Sequence, residues 1–184
     1  MQFQKFFKDY NNSIFDLLDK LDTDLIDQSV KIIDECRKKG GKVYIVGNGG
    51  SSSIASHVSV DFAKVARVKS STFNNSNIIT CFANDYGYQN WVVEAVKAYM
   101  SKKDIIILIS SSGTSKNIVN AAKYCKKNNI KTITLSGFKK NNSLSKLNNI
   151  NFYINSNHYN FIEMSHHIIL VYLVDVLSKN KFIK

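Results

Sequence analysis

Two runs of small hydroxylated residues broken by glycine stand out in the 184-residue chain. The first, Gly47-Asn48-Gly49-Gly50-Ser51-Ser52-Ser53, follows the apolar tetrad Val43-Tyr44-Ile45-Val46 and opens an amphipathic segment that carries His57 and Asp61. The second, Ser110-Ser111-Ser112-Gly113-Thr114-Ser115-Lys116-Asn117, again follows an apolar run and precedes a helical pattern. A strand that turns tightly into a helix leaves the helix's first amides without intrahelical partners, and the helix dipole draws negative charge to them. Glycine admits a close approach of the backbone, and hydroxyls add neutral donors. Two such turns in one small domain predict a site for a phosphate ester. Neither matches GxxxxGK[ST] or GxGxxG, so nucleoside triphosphates and dinucleotides fit poorly.

Proton-handling residues fall in two helical segments. His57 and Asp61 are four apart and share a helix face, where they serve either as metal ligands or as a base with its orienting partner. In the last apolar segment Glu163, His166 and His167 interrupt the pattern. Imidazole and carboxylate ligands suit zinc, and His57, Asp61, Glu163 and His167 form one candidate set. The alternative is that one of His166 and His167 caps or pairs with Glu163 at a subunit interface.

The elements that must position these groups alternate in type. Apolar spacing predicts a helix over residues 3–20 with one sticky face and a second from about Thr23, ended by Gly40-Gly41. Strands are expected at 43–46, 77–82, 104–109, 130–135 and 150–154, and helices at 52–65, 88–100, 115–127, 143–147 and 160–178. The Asn/Ser patches at 74–77 and 141–149 read as loops. This alternation predicts an α/β fold whose five strands form a parallel sheet, with ligands bound beyond the strands' carboxyl ends. Residues 1–40 are expected to add N-terminal helices to a domain spanning 41–184 and to pack against another subunit.

Composition narrows the setting. No uninterrupted apolar run approaches the ~20 residues of a membrane span, and the start lacks a secretory signal, so a cytoplasmic protein is expected. Cys36, Cys81 and Cys125 are odd in number and widely spaced, as reduced thiols are. The net charge is +11, but the lysines come in scattered pairs at element ends. They read as a solvated surface, with neither nucleic acid nor membrane as partner, that favours small anions.

The motifs GNGGSSSIASH, CFANDYGY and LISSSGTSKN, at these spacings, resemble the SIS (sugar isomerase) domain family, and within it the phosphoheptose isomerases. The resemblance covers residues 41–177. It implies a three-layer α/β/α sandwich, a homotetramer with active sites between subunits, and conversion of sedoheptulose 7-phosphate to an aldoheptose 7-phosphate for lipopolysaccharide or capsule synthesis. By position, Ser110, Ser111, Ser112 and Ser115 are similar to the family's phosphate loop, while Asn48, Gly49, Gly50, Ser51, Asn84 and Asp85 would face the substrate. Moving a carbonyl between C1 and C2 needs a base at carbon and an acid or metal at the enediolate oxygen. Asp61, Glu163, His166 and His167 are the catalytic candidates. The family's zinc is held by a His and a Glu of the early helix and a Gln and a His of the last. Here Asp61 stands for that Glu, Glu163 for the Gln and Val171 for the second His, with His167 one turn earlier as a replacement. The readings kept beside isomerisation of the heptose are an isomerase of another sugar phosphate and a non-catalytic SIS module that binds a sugar phosphate or a protein partner.

Overall fold

The computed structural model describes residues 2–148 and 150–179. Two helices, α1 (Gln2–Leu18) and α2 (Asp24–Lys38), precede a five-stranded sheet of β1 (Val43–Val46), β2 (Ser70–Thr72), β3 (Ile105–Ser110), β4 (Lys131–Ser136) and β5 (Asn151–Tyr153). The strands are all parallel, in the order β2-β1-β3-β4-β5. The helices between and after them are α3 (Gly50–Lys64), α4 (Ser76–Tyr86), α5 (Trp91–Tyr99), α6 (Lys116–Lys127) and α7 (Tyr159–Ser178).

Period-two alternation assigns the two faces of the sheet. Val43, Ile45, Ile105, Ile107 and Ile109 pack against α2, α3 and α7, whereas Tyr44, Val46, Ile106 and Leu108 pack against α5 and α6. All six residues of β3 are buried, as a central strand covered on both sides requires. The result is the three-layer sandwich. By length and composition α7 could cross a membrane, but 44% of its apolar window is buried inside the fold, where it supports α1, α2 and α3.

Three expectations change. Residues 77–82 are helix, not strand: the Asn75 side chain accepts from Asn77 N at 2.9 Å and caps α4, and a short apolar run does not by its pattern distinguish strand from helix. The fifth strand is instead β2, three half-buried hydroxyl residues on the sheet edge with no apolar signal. Residues 143–147 form turns rather than a helix, because the Asn142 carbonyl oxygen takes the amides of Leu144 (3.1 Å) and Ser145 (2.9 Å).

Candidate active site

Because β1 and β3 are adjacent and parallel, both serine-glycine turns lie at the carboxyl end of the sheet. There they meet. The side-chain amides of Asn48 and Asn117 bond reciprocally, each at 2.9 Å, and Ser51 Oγ lies 3.5 Å from Ser111 Oγ. Asn74 holds the first turn from behind, accepting from Gly47 N at 3.2 Å and donating to Gly47 O at 2.7 Å.

Between the turns opens a cleft of about 270 Å³. Asn48, Gly49, Gly50 and Ser51 form one wall, Ser110, Ser111, Ser112 and Ser115 another, and Tyr159 and Glu163 of α7 a third. Ser115 is the N-cap residue of α6 without bonding its amides, and its hydroxyl instead accepts from Ser110 Oγ at 3.1 Å. No side-chain cap is bonded at the start of α3 or α6. Ser52 N and Ser53 N of α3 donate to Gly49 O at 2.9 and 3.2 Å, which leaves the amides of Gly50 and Ser51, both in the cleft lining, as the α3 donors for a ligand.

Glu163 is the one carboxylate in this lining. Its position depends on Gly50: a Cβ there would stand 2.7 Å from Glu163 Cδ, so the absence of a side chain at the start of α3 makes the room that the carboxylate occupies.

Comparison with known proteins agrees with this geometry. A profile of the SIS domain matches residues 6–137. The phosphoheptose isomerase of Syntrophotalea carbinolica is 28% identical over 182 residues, 94% of this chain and 92% of that protein. Phosphoheptose isomerase 1 of Campylobacter jejuni is 30% identical over 156 residues, 82% and 83% of the two chains. The chain belongs to the SIS domain family, among the phosphoheptose isomerases. In structure, a phosphoheptose isomerase from Francisella tularensis superimposes with a TM-score of 0.84 at 25% identity, over 97% of each chain.

The remaining site residues fall in three places. His57, Asp61 and His167 form a string on the outer surface of α3 and α7: His57 Nε2 lies 3.1 Å from Asp61 Oδ2, and His57 Nδ1 lies 2.9 Å from His167 Nε2. Burial, helped by His57 and opposed by Asp61, pushes the His167 imidazole below its ordinary range. The string lies outside the cleft lining, because His57 is two turns along α3 from Gly50.

His166 points the other way, into the core. It is fully buried, with Nε2 3.2 Å from Ser136 O and Nδ1 without a partner among the described residues. Burial pushes it down to about 4, against the Ser136 hydrogen bond. It is structural in place, not a proton donor to the cleft. Asn84 and Asp85 lie exposed on α4, bonded to each other at 2.9 Å, and do not line the cleft of their own chain.

The expected zinc set is not assembled. A zinc-bound imidazole gives one nitrogen to the metal and the other to an orienting partner, but both nitrogens of His57 face protein groups. Glu163 stands apart beside Gly50, and among the described residues no three His, Cys, Asp or Glu side chains converge on one point. The donors present do not fit a closed zinc site.

Sequence reasoning passed over Tyr159, Asn117 and Asn74. Asn117 closes the second motif, and Tyr159 precedes Glu163 by one helical turn, so both had a positional signal. Asn74 had none, lying in a patch of polar repeats.

Proposed function

We propose that this chain interconverts a ketose phosphate and an aldose phosphate through an enediol, with sedoheptulose 7-phosphate as the substrate. The observation that carries the proposal is the placement of one carboxylate, Glu163, across a single cleft from two serine-lined helix N-termini. The phosphate is held by the α6 amides and the hydroxyls of Ser110, Ser112 and Ser115. Glu163 removes the proton at C1 of the ketose, or at C2 of the aldose in the reverse sense, and returns it to the neighbouring carbon. The free amides at the start of α3, with Ser51 and Asn48, steady the enediolate oxygen where its charge develops. Glu163 carries the carbon-bound proton from one carbon to the other, and the hydroxyl proton lost from O1 is taken up at O2, so the step is balanced without a further reactant.

Solvent-deuterium incorporation at C1 of sedoheptulose 7-phosphate in heavy water, and at C2 of the aldose product, tests this. Glu163→Gln should lower exchange by about 10²–10⁴-fold, as loss of a general base does, and Asp61→Asn by less than about tenfold. Equal losses would move the base to the outer string. A second reading, a sugar-phosphate binding module, is favoured by the position of His57, Asp61 and His167 outside the cleft. Phosphate binding without exchange for any ketose phosphate would select it.

The family's homotetramer is proposed for this chain too. Phe3, Phe6, Phe7 and Phe15 of α1 are more than half exposed, and Met164, Ile168, Tyr172 and Val176 recur every fourth residue along one outward face of α7. A second copy covering both faces would bury them and bring Asn84 and Asp85 to a neighbouring cleft. A biosynthetic role in the cytoplasm follows from the same reading.

A further inference from the structure

The lysines that the sequence scatters in pairs are gathered by the topology. Because all the strands run the same way, every helix-to-strand connection emerges at one end of the sheet, opposite the cleft. Arg37, Lys38, Lys39 and Lys42 lie between the last turn of α2 and β1, and Lys64, Arg67 and Lys69 between α3 and β2. Lys97, Lys102 and Lys103 lead into β3, and Lys126, Lys127 and Lys131 into β4. These are thirteen of the chain's 25 basic residues; beside them stand five of its 14 acidic ones, Asp34, Glu35, Asp61, Glu94 and Asp104. The other twelve basic and nine acidic residues nearly cancel, so most of the +11 charge sits at this end.

The five carboxylates are already engaged. Asp34 pairs with Arg37, Glu35 with Lys131, Glu94 with Lys97 and Asp61 with His57. Asp104 is buried and accepts from Lys42 N at 2.7 Å, Ser101 N at 2.6 Å and Ser101 Oγ at 2.8 Å. Cations in the last turn of a helix complement its dipole, which accounts for Lys38, Lys64, Lys126 and Lys127. It does not account for the lysines at strand starts. Val43 N donates to Lys69 O at 2.8 Å and Ile105 N to Lys42 O at 3.0 Å, so these residues enter adjacent strands, about 5 Å apart, where like charges repel.

The face suits a plane rather than a groove. It ends in loops, and the recess between Glu35, Lys39, Lys102 and Lys131 holds only about 70 Å³. Eleven of the thirteen cations are lysines, point charges without the bidentate fork that reads bases, and Arg37 is turned inward to Asp34 and to Ala66 O at 3.2 Å. We propose that this end of the sheet docks the protein on an anionic phospholipid bilayer, lysine ammonium groups meeting headgroup phosphates, while the cleft at the far end stays open to solution.

Cosedimentation of the full chain with lipid vesicles tests the docking. With about 30% phosphatidylserine in phosphatidylcholine at ~0.1 M salt, binding should exceed that to phosphatidylcholine alone by at least about tenfold, and it should vanish at ~0.5 M salt. Reversing Lys38, Lys39, Lys102 and Lys103 to Glu should weaken it by about tenfold or more and leave solvent exchange at C1 of the ketose phosphate unchanged. If that variant fails to fold, Lys126→Gln with Lys127→Gln should still weaken binding by about threefold. Equal binding to neutral vesicles, insensitivity to salt, or a variant that sediments like wild type overturns the proposal. Tighter binding to duplex DNA than to vesicles at equal phosphate concentration overturns it as well. Vesicle binding needs no substrate, so it stands or falls separately from the isomerase reading.

Discussion

Ser112 and Ser115 offer the cleft hydroxyls that no helix cap consumes, and this makes the phosphate loop testable one atom at a time. A hydrogen bond to a charged group contributes about 1.5–3 kcal/mol, so Ser112→Ala with Ser115→Ala should weaken inorganic phosphate binding by on the order of 10²-fold or more by titration calorimetry. Unchanged affinity would place the phosphate elsewhere. His166 sets a different expectation. Its ordinary value is 6.5, and burial lowers it to about 4. Above pH 6.5 the ring is neutral in both the folded and unfolded chain and contributes nothing to pH dependence. As pH falls below that, the unfolded chain takes up a proton that the fold refuses. Stability is then lost by up to about 1.4 kcal/mol per pH unit, levelling off near pH 4. Urea unfolding at pH 7 and pH 5 should therefore show a larger loss for wild type than for His166→Gln, and parallel losses would contradict the assignment. The sequence could name His166 and His167 as a pair. It could not say which faces water, because neighbouring positions on a helix point about 100° apart and only the packing of α7 on β4 chooses between them.

At the scale of elements, the 137–145 connection does more than link β4 to β5. Asn142 is buried; its amide donates to Ser136 Oγ at 3.1 Å and Lys139 O at 2.9 Å while its oxygen takes the Leu144 and Ser145 amides. The same side chain fills the space where a Cβ of Gly113 would stand, at a backbone φ of +67° that only glycine adopts readily, and Leu144 N donates to Gly113 O at 3.0 Å. Asn142 thereby fixes the turn between Ser112 and Ser115. Asn142→Ala strands buried donors and acceptors and should cost about 2–3 kcal/mol of stability. It should also raise KM for the sugar phosphate more than it lowers kcat; a change in thermal midpoint alone would reduce the residue to packing. In the sequence this segment is only an Asn/Ser patch. Long-range contacts give it meaning, just as they turn 77–82 from strand to helix: an apolar run of six residues has no period long enough to decide, whereas the Asn75 cap and the edge strand beside it do.

For the whole molecule, the exposed aromatic face of α1 predicts self-association. Phe6→Ser with Phe7→Ser should shift the sedimentation coefficient toward the monomer, and a wild-type chain already monomeric at micromolar concentration would remove the basis for a site shared between subunits. The α/β class, the parallel sheet and the two anion turns were legible because each rests on local chemistry: apolar runs, glycine at tight turns, hydroxyls before helices. Burial of every side chain of β3 and the amphipathic stripes of α2 and α6 made those elements unambiguous. What the chain's linear order could not carry was convergence. That Glu163 meets Gly50 while His57, Asp61 and His167 do not, and that lysines in separate pairs share one face, follows from the direction in which the strands are laid side by side. Local interactions select each element within a few residues, whereas distances between elements arise only when apolar faces are buried together, and charge and catalytic geometry are set by those distances.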